Sequence, residues 1–261
     1  MRIEYVLKVE AEYHIGAGLS RPGVADETIV QRPDGQLFVP AEHIRGLIRE
    51  SCTQILYWIG RDKECCEAAL WKAPVERERT GKGVPKTCGL NYFPADGDSC
   101  VLCRLFGTTF VPKRYRFSDA ICIDEKEKSK KTVRTFNLVD PATGRVLMDL
   151  LFSFEMGAPT LFKGYIERLS IPSSNYQILE EVGLLIAGLR LVERIGKRSA
   201  RGWGECKVES IAVSLLCEEK KRMPQEVAEE PECWERWLKA FWRIFVEKEG
   251  KGNGEHLVGA S

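Results

Sequence analysis

Over residues 2–13 apolar and polar positions alternate: Ile3, Tyr5, Leu7, Val9 and Ala11 share one face, and Arg2, Glu4, Lys8, Glu10 and Glu12 lie mostly on the other. A period of two with one apolar face predicts a half-buried strand. His14-Ile-Gly-Ala-Gly18 ends it. Gly16 and Gly18 look like the start of a dinucleotide loop, but no helical pattern follows directly, which rejects that reading. A loop runs instead through Pro22, Gly23 and Asp26. A short apolar piece, Thr28 to Val30, a Pro33-Asp34-Gly35 turn and a short strand, Leu37 to Val39, come next. At Pro40 the period changes. Ile44, Leu47, Ile48, Cys52, Ile55, Leu56 and Ile59 recur at helical spacing, and Gly60 closes the run.

Periodicity fades over residues 61–109, where charges, Pro, Gly and Cys dominate. This stretch reads as an insertion clamped by something other than a core. Residues 110–160 form a second irregular zone. It holds a short strand pattern from Arg114 to Ile123, a charge run from Glu125 to Lys131, and a hairpin of Thr132 to Val139 and Val146 to Glu155 about a Pro141–Gly144 turn. Regular structure returns with a strand, Leu161 to Leu169, and an amphipathic helix carrying Ile178, Val182, Leu185, Ile186, Leu189 and Val192. A glycine-rich basic loop and a closing strand, Glu205 to Leu216, follow. A polar linker then leads to a last helix beginning near Pro231, where Trp234, Trp237, Leu238, Phe241, Trp242 and Phe245 give a wide aromatic face. Residues after Gly250 read as a flexible tail. The order strand, helix, then after two insertions strand, helix, strand suits an α+β fold with a ferredoxin-like or RRM-like sheet.

Composition narrows the function. A chain of 261 residues with 44% hydrophobic residues makes one large domain or two small ones with a real core. The formal net charge of +1 excludes a generic polycation, so any nucleic-acid site is a local patch. Two patches exist, residues 194–207 and 126–134. No apolar run is long enough to span a bilayer and the first residues lack a signal-peptide pattern, so a cytoplasmic protein with no membrane partner is expected. Ten cysteines in such a chain argue for free thiols or metal before disulfides.

Two stretches carry candidate chemistry. Residues 194–204 hold three glycines, four Arg or Lys side chains and Trp203. Glycines permit positive φ and close approach, turn N–H groups can cradle an anion, and the cations fit a phosphate chain. A nucleotide cofactor, a nucleic-acid backbone and no ligand at all stay open on these residues alone. Cys100-x2-Cys103 has the spacing of a zinc half-site, which Cys88 and either Cys65 or Cys66 would complete. The alternative is buried or idle thiols.

Taken together, four pieces resemble the RAMP-superfamily backbone subunits of type III CRISPR–Cas effector complexes, of the Csm/Cmr kind and nearest to the target-cutting Csm type. His14 to Gly18 looks like the family's opening glycine motif. Val39-Pro40 with Ile44-Arg45-Gly46 and Arg49 is similar to its Pro-Gly-Ser-Ser-Leu-Lys-Gly segment. Cys100 to Gly107 resembles its cysteine and Leu-Phe-Gly segment, and Gly196 to Gly204 its late glycine-rich loop. The resemblance covers residues 3–215. It implies a palm formed by residues 1–60 and 161–216, a zinc-stabilised cysteine insertion at 61–109, and a thumb-like hairpin at 110–160. Residues 217–261 add the linker, aromatic helix and tail. It implies a CRISPR guide RNA and a complementary target RNA as partners, with other copies or paralogues of the subunit and other type III effector subunits. Arg21, His43, Arg45, Arg49, Gly196, Lys197, Arg198, Ser199, Arg201, Gly202, Trp203 and Gly204 are the implied RNA contacts. Asp26 matches the aspartate required to cut the bound target.

That chemistry stands on its own terms. Cutting RNA with its own 2′-hydroxyl needs in-line geometry, and one carboxylate can act as general base or hold Mg2+ or another divalent ion. Without the resemblance, Asp26 reads as an ordinary loop residue beside Glu27. The chain departs from the family where Ala41-Glu42-His43 replaces Gly-Ser-Ser. A scaffold that binds without cutting and a stand-alone precursor-RNA processing nuclease are the competing readings. A cofactor enzyme is disfavoured by the missing strand–loop–helix phosphate motif.

Overall fold

The computed structural model of the chain describes residues 1–70, 86–93, 99–169, 175–215 and 225–245. The expected tail beyond Gly250 and most of the expected linker lie outside them. The strands are β1 (Arg2–Val9), β2 (Phe38–Val39), β3 (Tyr115–Phe117), β4 (Ala120–Cys122), β5 (Lys131–Val139), β6 (Val146–Gly157), β7 (Thr160–Arg168) and β8 (Cys206–Ser214). The helices are α1 (Ala41–Trp58), α2 (Val101–Phe106), α3 (Asn175–Arg190), α4 (Gln225–Glu229) and α5 (Trp234–Phe245).

The main sheet runs β2-β4-β7-β1-β8, with β3 also paired to β7, and all its pairs are antiparallel. β1 is its centre. Tyr5 faces Gly164 of β7 on one side and Ile211 of β8 on the other. The period of two places Ile3, Tyr5, Leu7 and Val9 inward, each at most 2% exposed. The sequence alternation outlasts the strand. Past Val9 the Glu10 N–H carries the pairing one step further, to the Glu205 carbonyl (2.8 Å), and the buried Tyr13 is joined by a bridge to Gly157 and an edge-on contact with Phe162.

α1 and α3 pack together beside this sheet. Gly188 lets Cys52 approach α3, where its thiol meets the Leu184 carbonyl at 3.4 Å. Pro40 starts α1 and Asp119 accepts its first N–H (2.9 Å). Gly60, at φ +76°, stops it. β5 and β6 form a separate two-stranded hairpin whose first strand is largely exposed. α5 packs mainly on α3 and also touches β8: Trp237, Phe241 and Phe245 are buried, and Phe241 lies over Gly183. Trp242 remains 54% exposed. Among the described residues no helix is long and apolar enough to cross a membrane.

The expectation that residues 61–109 lack a core is corrected by α2. All six of its residues are buried, and Leu102, Leu105 and Phe106 join the main core. A helix this short gives no readable period. Its Arg104 is 5% exposed and bonds Glu180 and Glu181 of α3, the latter at 2.9 Å. Arg61 reaches Glu180 (2.8 Å), Arg114 reaches Glu181 (3.0 Å), and the Tyr115 hydroxyl donates to Glu181 (3.1 Å). Burial pushes the Glu181 carboxyl up, against the pull of Arg104 and Arg114. Removing one partner from such a set leaves a buried charge uncompensated. Glu181→Ala is expected to destabilise the fold by about 3–5 kcal/mol, read as a lower denaturant midpoint at unchanged slope.

Candidate functional site

The long loop after β1 folds back on itself. Ala17 N–H bonds Thr28 O (2.9 Å), Val30 N–H bonds Ile15 O (2.8 Å), and residues Arg21 to Ala25 make the turn. Its returning arm lies along β6. The N–H groups of Asp26 and Glu27 both donate to Ser153 O (3.0 and 3.1 Å), and Glu155 N–H donates to Glu27 O (2.9 Å). Extended backbone sends neighbouring side chains opposite ways. Asp26 is exposed, and its Oδ2 accepts from both the N–H and the hydroxyl of Ser153, each at 2.7 Å. These bonds hold the carboxyl below its ordinary value. Among the described residues nothing bonds Oδ1.

Glu27 faces elsewhere. Its Oε2 pairs with Lys197 and lies 3.3 Å from Nε2 of the buried His14. Lys197 is the main reason its carboxyl is held low. His14 Nδ1 donates to the Glu155 carbonyl (2.7 Å). The Glu155 carboxylate is itself buried, accepts the Ile29 N–H (3.2 Å), and lies 3.5 Å from Arg21 and 3.7 Å from Lys131.

The glycine-rich loop closes this region from the other side. Gly196 and Gly204 have φ of +81° and +67°, and a Cβ on either would collide with a backbone carbonyl, of His14 and Ile195 respectively. Several of its N–H groups are therefore committed inside the protein. Gly196 N–H donates to His43 Nε2 (2.9 Å), Lys197 N–H to His14 O (2.8 Å) and Gly204 N–H to Glu12 O (2.9 Å). The glycines serve close packing, and these three amides are not an open anion cradle. Arg198, at φ +59°, lies over Phe154 of β6 at 4.3 Å. Trp203 is half-buried against Phe136 (5.2 Å) and Phe154 (5.8 Å). Arg201 and Gly202 are exposed. Ser199 sits with Arg201 in a short 3-10 turn.

Around the start of α1 the expected contacts divide. Arg45 donates to Phe106 O and lines a cleft of about 580 Å³ with Lys113, Arg116 and Phe117. Arg49 does not share that face. It is 8% exposed and donates to the carbonyls of Ala68 and Ala69 at 3.1–3.2 Å. Electrostatically it faces Cys66, Cys100 and Cys103. His43 accepts from Gly196 and so joins α1 to the glycine loop.

The sulfurs of Cys66, Cys88, Cys100 and Cys103 all lie within 4.8 Å of one another, and all four residues are buried. Cys65 is buried too but is not among these four.

Residues 6–207 match the family model of the RAMP superfamily. The chain belongs to that superfamily. It is also similar to the "CRISPR system Cms endoribonuclease Csm3" of Methanocaldococcus jannaschii, with 22% identity over 232 residues that cover 84% of this chain and 82% of the relative.

In this RAMP-superfamily chain the four cysteines can hold a metal such as zinc. Zn–S bonds of about 2.3 Å in a tetrahedron put sulfurs about 3.8 Å apart. Cys66 lies 3.4 Å from Cys103 and 3.9 Å from Cys100. The N–H groups of Ala69 and Cys100 point at Cys66 and Cys88 sulfurs (3.3 and 3.4 Å), as they would at thiolates. Hydrogen bonds between the thiols pull Cys100 down and push Cys103 up. Asp26 offers a divalent ion a single open oxygen. Glu27 and Glu155 have other partners, so the protein offers such an ion few further ligands here.

Sequence reasoning missed Ser153, Glu155, Phe136 and Phe154, and named His14 only as the start of its glycine motif. Their roles come from contacts between distant segments; Ser153 and Asp26 are 127 residues apart. Lys113 and Arg116 were legible only as scattered charges.

Burial holds the His43 ring below its ordinary value of 6.5. Its Nε2 must be unprotonated to accept from Gly196. The unfolded chain binds this proton first, so the contribution to stability is full above the ordinary value and is lost as pH falls through the depressed one. His43→Ala is expected to lose less melting temperature than the unaltered chain between pH 7 and pH 5.

Proposed function

We propose that this protein is a guide-RNA-binding backbone subunit of a type III CRISPR interference complex, and that it cuts the bound target RNA through Asp26. The observation that carries the reading is the Asp26 carboxylate: exposed, held ionised by Ser153, with Oδ1 open. The relative named as an endoribonuclease supports it. The sheet order β4-β7-β1-β8, crossed by α1 and α3, supports a ferredoxin-like palm, and β5–β6 a thumb. The partners are a CRISPR guide RNA, a complementary target RNA, other copies or paralogues of the subunit, and the remaining effector subunits, in the cytoplasm.

In this reading the guide backbone lies against Arg45 in its cleft and against Lys197, Arg198 and Arg201. Arg49 is left out because it is turned toward the cysteines. The hairpin displaces a target nucleotide, and orientation of its 2′-hydroxyl supplies much of the rate. Asp26 then uses Oδ1, either to take the hydroxyl proton or to ligate a divalent ion such as Mg2+. When bound, that ion supplies charge neutralisation at the scissile phosphate. A structural zinc on Cys66, Cys88, Cys100 and Cys103 holds the insertion, with Arg49 offsetting the charge of the thiolates.

Asp26→Ala in an assembled complex is expected to abolish target cleavage and leave guide and target affinity within about twofold, because a small exposed loop side chain contributes little to folding. Glu27→Ala, whose carboxylate faces Lys197 and His14, should retain cutting. If neither change alters the rate in a complex that still cuts, the activity belongs to another subunit. Metal analysis of purified protein is expected to return one zinc per chain, with its loss in Cys103→Ser; a metal-free preparation of folded protein contradicts the zinc assignment.

A further inference from the structure

Four hydrogen bonds join one serine to one aspartate across the loop and the hairpin. Asp26 N–H is shared between Ser153 O and Ser153 Oγ, both at 3.0 Å, and Oδ2 receives both the N–H and the O–H of Ser153 at 2.7 Å. The hydroxyl therefore accepts and donates at once, which one proton and two lone pairs allow. We infer that Ser153 is a positioning residue for target cutting: its hydroxyl fixes the rotamer of Asp26 so that Oδ1 is the oxygen presented outward. This rests on the reading of Asp26 as the cutting carboxylate.

Asp26 is exposed, and no other side chain among the described residues bonds it. A carboxylate on an open loop samples several rotamers, and holding one costs side-chain entropy that some contact must offset. Ser153 supplies that contact from β6, so the carboxylate is fastened to the hairpin and not to the main sheet. The hairpin is itself fixed at the next residue. Phe154 is buried, carries Arg198 at 4.3 Å and packs against Trp203 and His14. Loop, hairpin and glycine loop thus meet within two consecutive residues of β6.

Removing the hydroxyl leaves every backbone bond of this joint in place. Ser153→Ala keeps Ser153 N–H to Oδ2, Asp26 and Glu27 N–H to Ser153 O, and Glu155 N–H to Glu27 O. The loop should keep its path while the carboxylate loses one of its two restraints. Misplacement of a reacting group by about 1 Å costs on the order of 100-fold in rate, so a loss of about tenfold or more is expected.

The test uses single-turnover cleavage by the assembled complex at saturating target RNA, with target affinity and melting temperature measured on the same preparations. Ser153→Ala, Ser153→Thr and Asp26→Ala are compared. The expected result is a rate loss of about tenfold or more in Ser153→Ala, unchanged affinity and melting, and recovery in Ser153→Thr, which restores the hydroxyl. If Asp26→Ala abolishes cutting while Ser153→Ala cuts at the full rate, the positioning role is overturned and the role of Asp26 stands. A Ser153→Ala loss that lies in affinity or melting, or that Ser153→Thr shares, also overturns it. If Asp26→Ala cuts normally, the reading beneath falls, and the positioning role with it.

Discussion

Two adjacent glutamates, Glu180 and Glu181, lie inside the protein at 5% and 0% exposure. Charges are tolerated there only with partners, and the partners come from three separate stretches, at Arg61, Arg104 and Arg114. This requirement registers the irregular insertion against α3. Hydrophobic contacts alone are non-directional, and a six-residue helix could slide along its groove. Paired guanidinium and carboxylate groups allow far fewer positions. Once α2 is set, Cys100 and Cys103 are set with it, and the four sulfurs can converge. The start of β3 and the wall of the Arg45 cleft are fixed by the same constraint.

The functional region is built from backbone that the main sheet does not use. The loop after β1 finds its partners on β6, and the glycine loop finds its own on residues 12–14. Each of these segments alone would be an open loop with unpaired amides. Together they satisfy one another, and the side chains left over differ in kind. Glu27, Lys197 and His14 are mutually occupied, whereas Asp26 and Arg201 face solvent. Lys197 keeps 56% of its side chain exposed, so its pairing with Glu27 still leaves it able to meet a ligand.

The elements legible in the sequence were those with a local period. β1, α1, the β5–β6 hairpin, β7, α3, β8 and α5 follow from alternation or helical spacing. α2 did not, because six residues give under two turns. A sequence gives no sign that a cation is buried with partners, so Arg61, Arg104 and Arg114 had no assigned role, and Arg49, expected as an RNA contact, instead donates to the Ala68 and Ala69 carbonyls. Cys65 and Cys66 could not be separated, because adjacent residues are resolved only by the local turn. Asp26 stood out by resemblance alone. Ser153 carried no signal, being one strand serine whose partner lies 127 residues away in the chain.

The β5–β6 hairpin also bears on how the isolated chain behaves in solution. Away from its base it is a two-stranded ribbon whose edges have no neighbour among the described residues. Leu138, Leu151 and Phe152 on it are 43–60% exposed. Unpaired strand edges beside apolar side chains are templates for a further strand. Colloidal stability, yield on expression and the concentration at which the free protein self-associates should therefore be governed by this arm and not by its core. Charge placed at the tip would change those properties while leaving the melting of the main sheet alone.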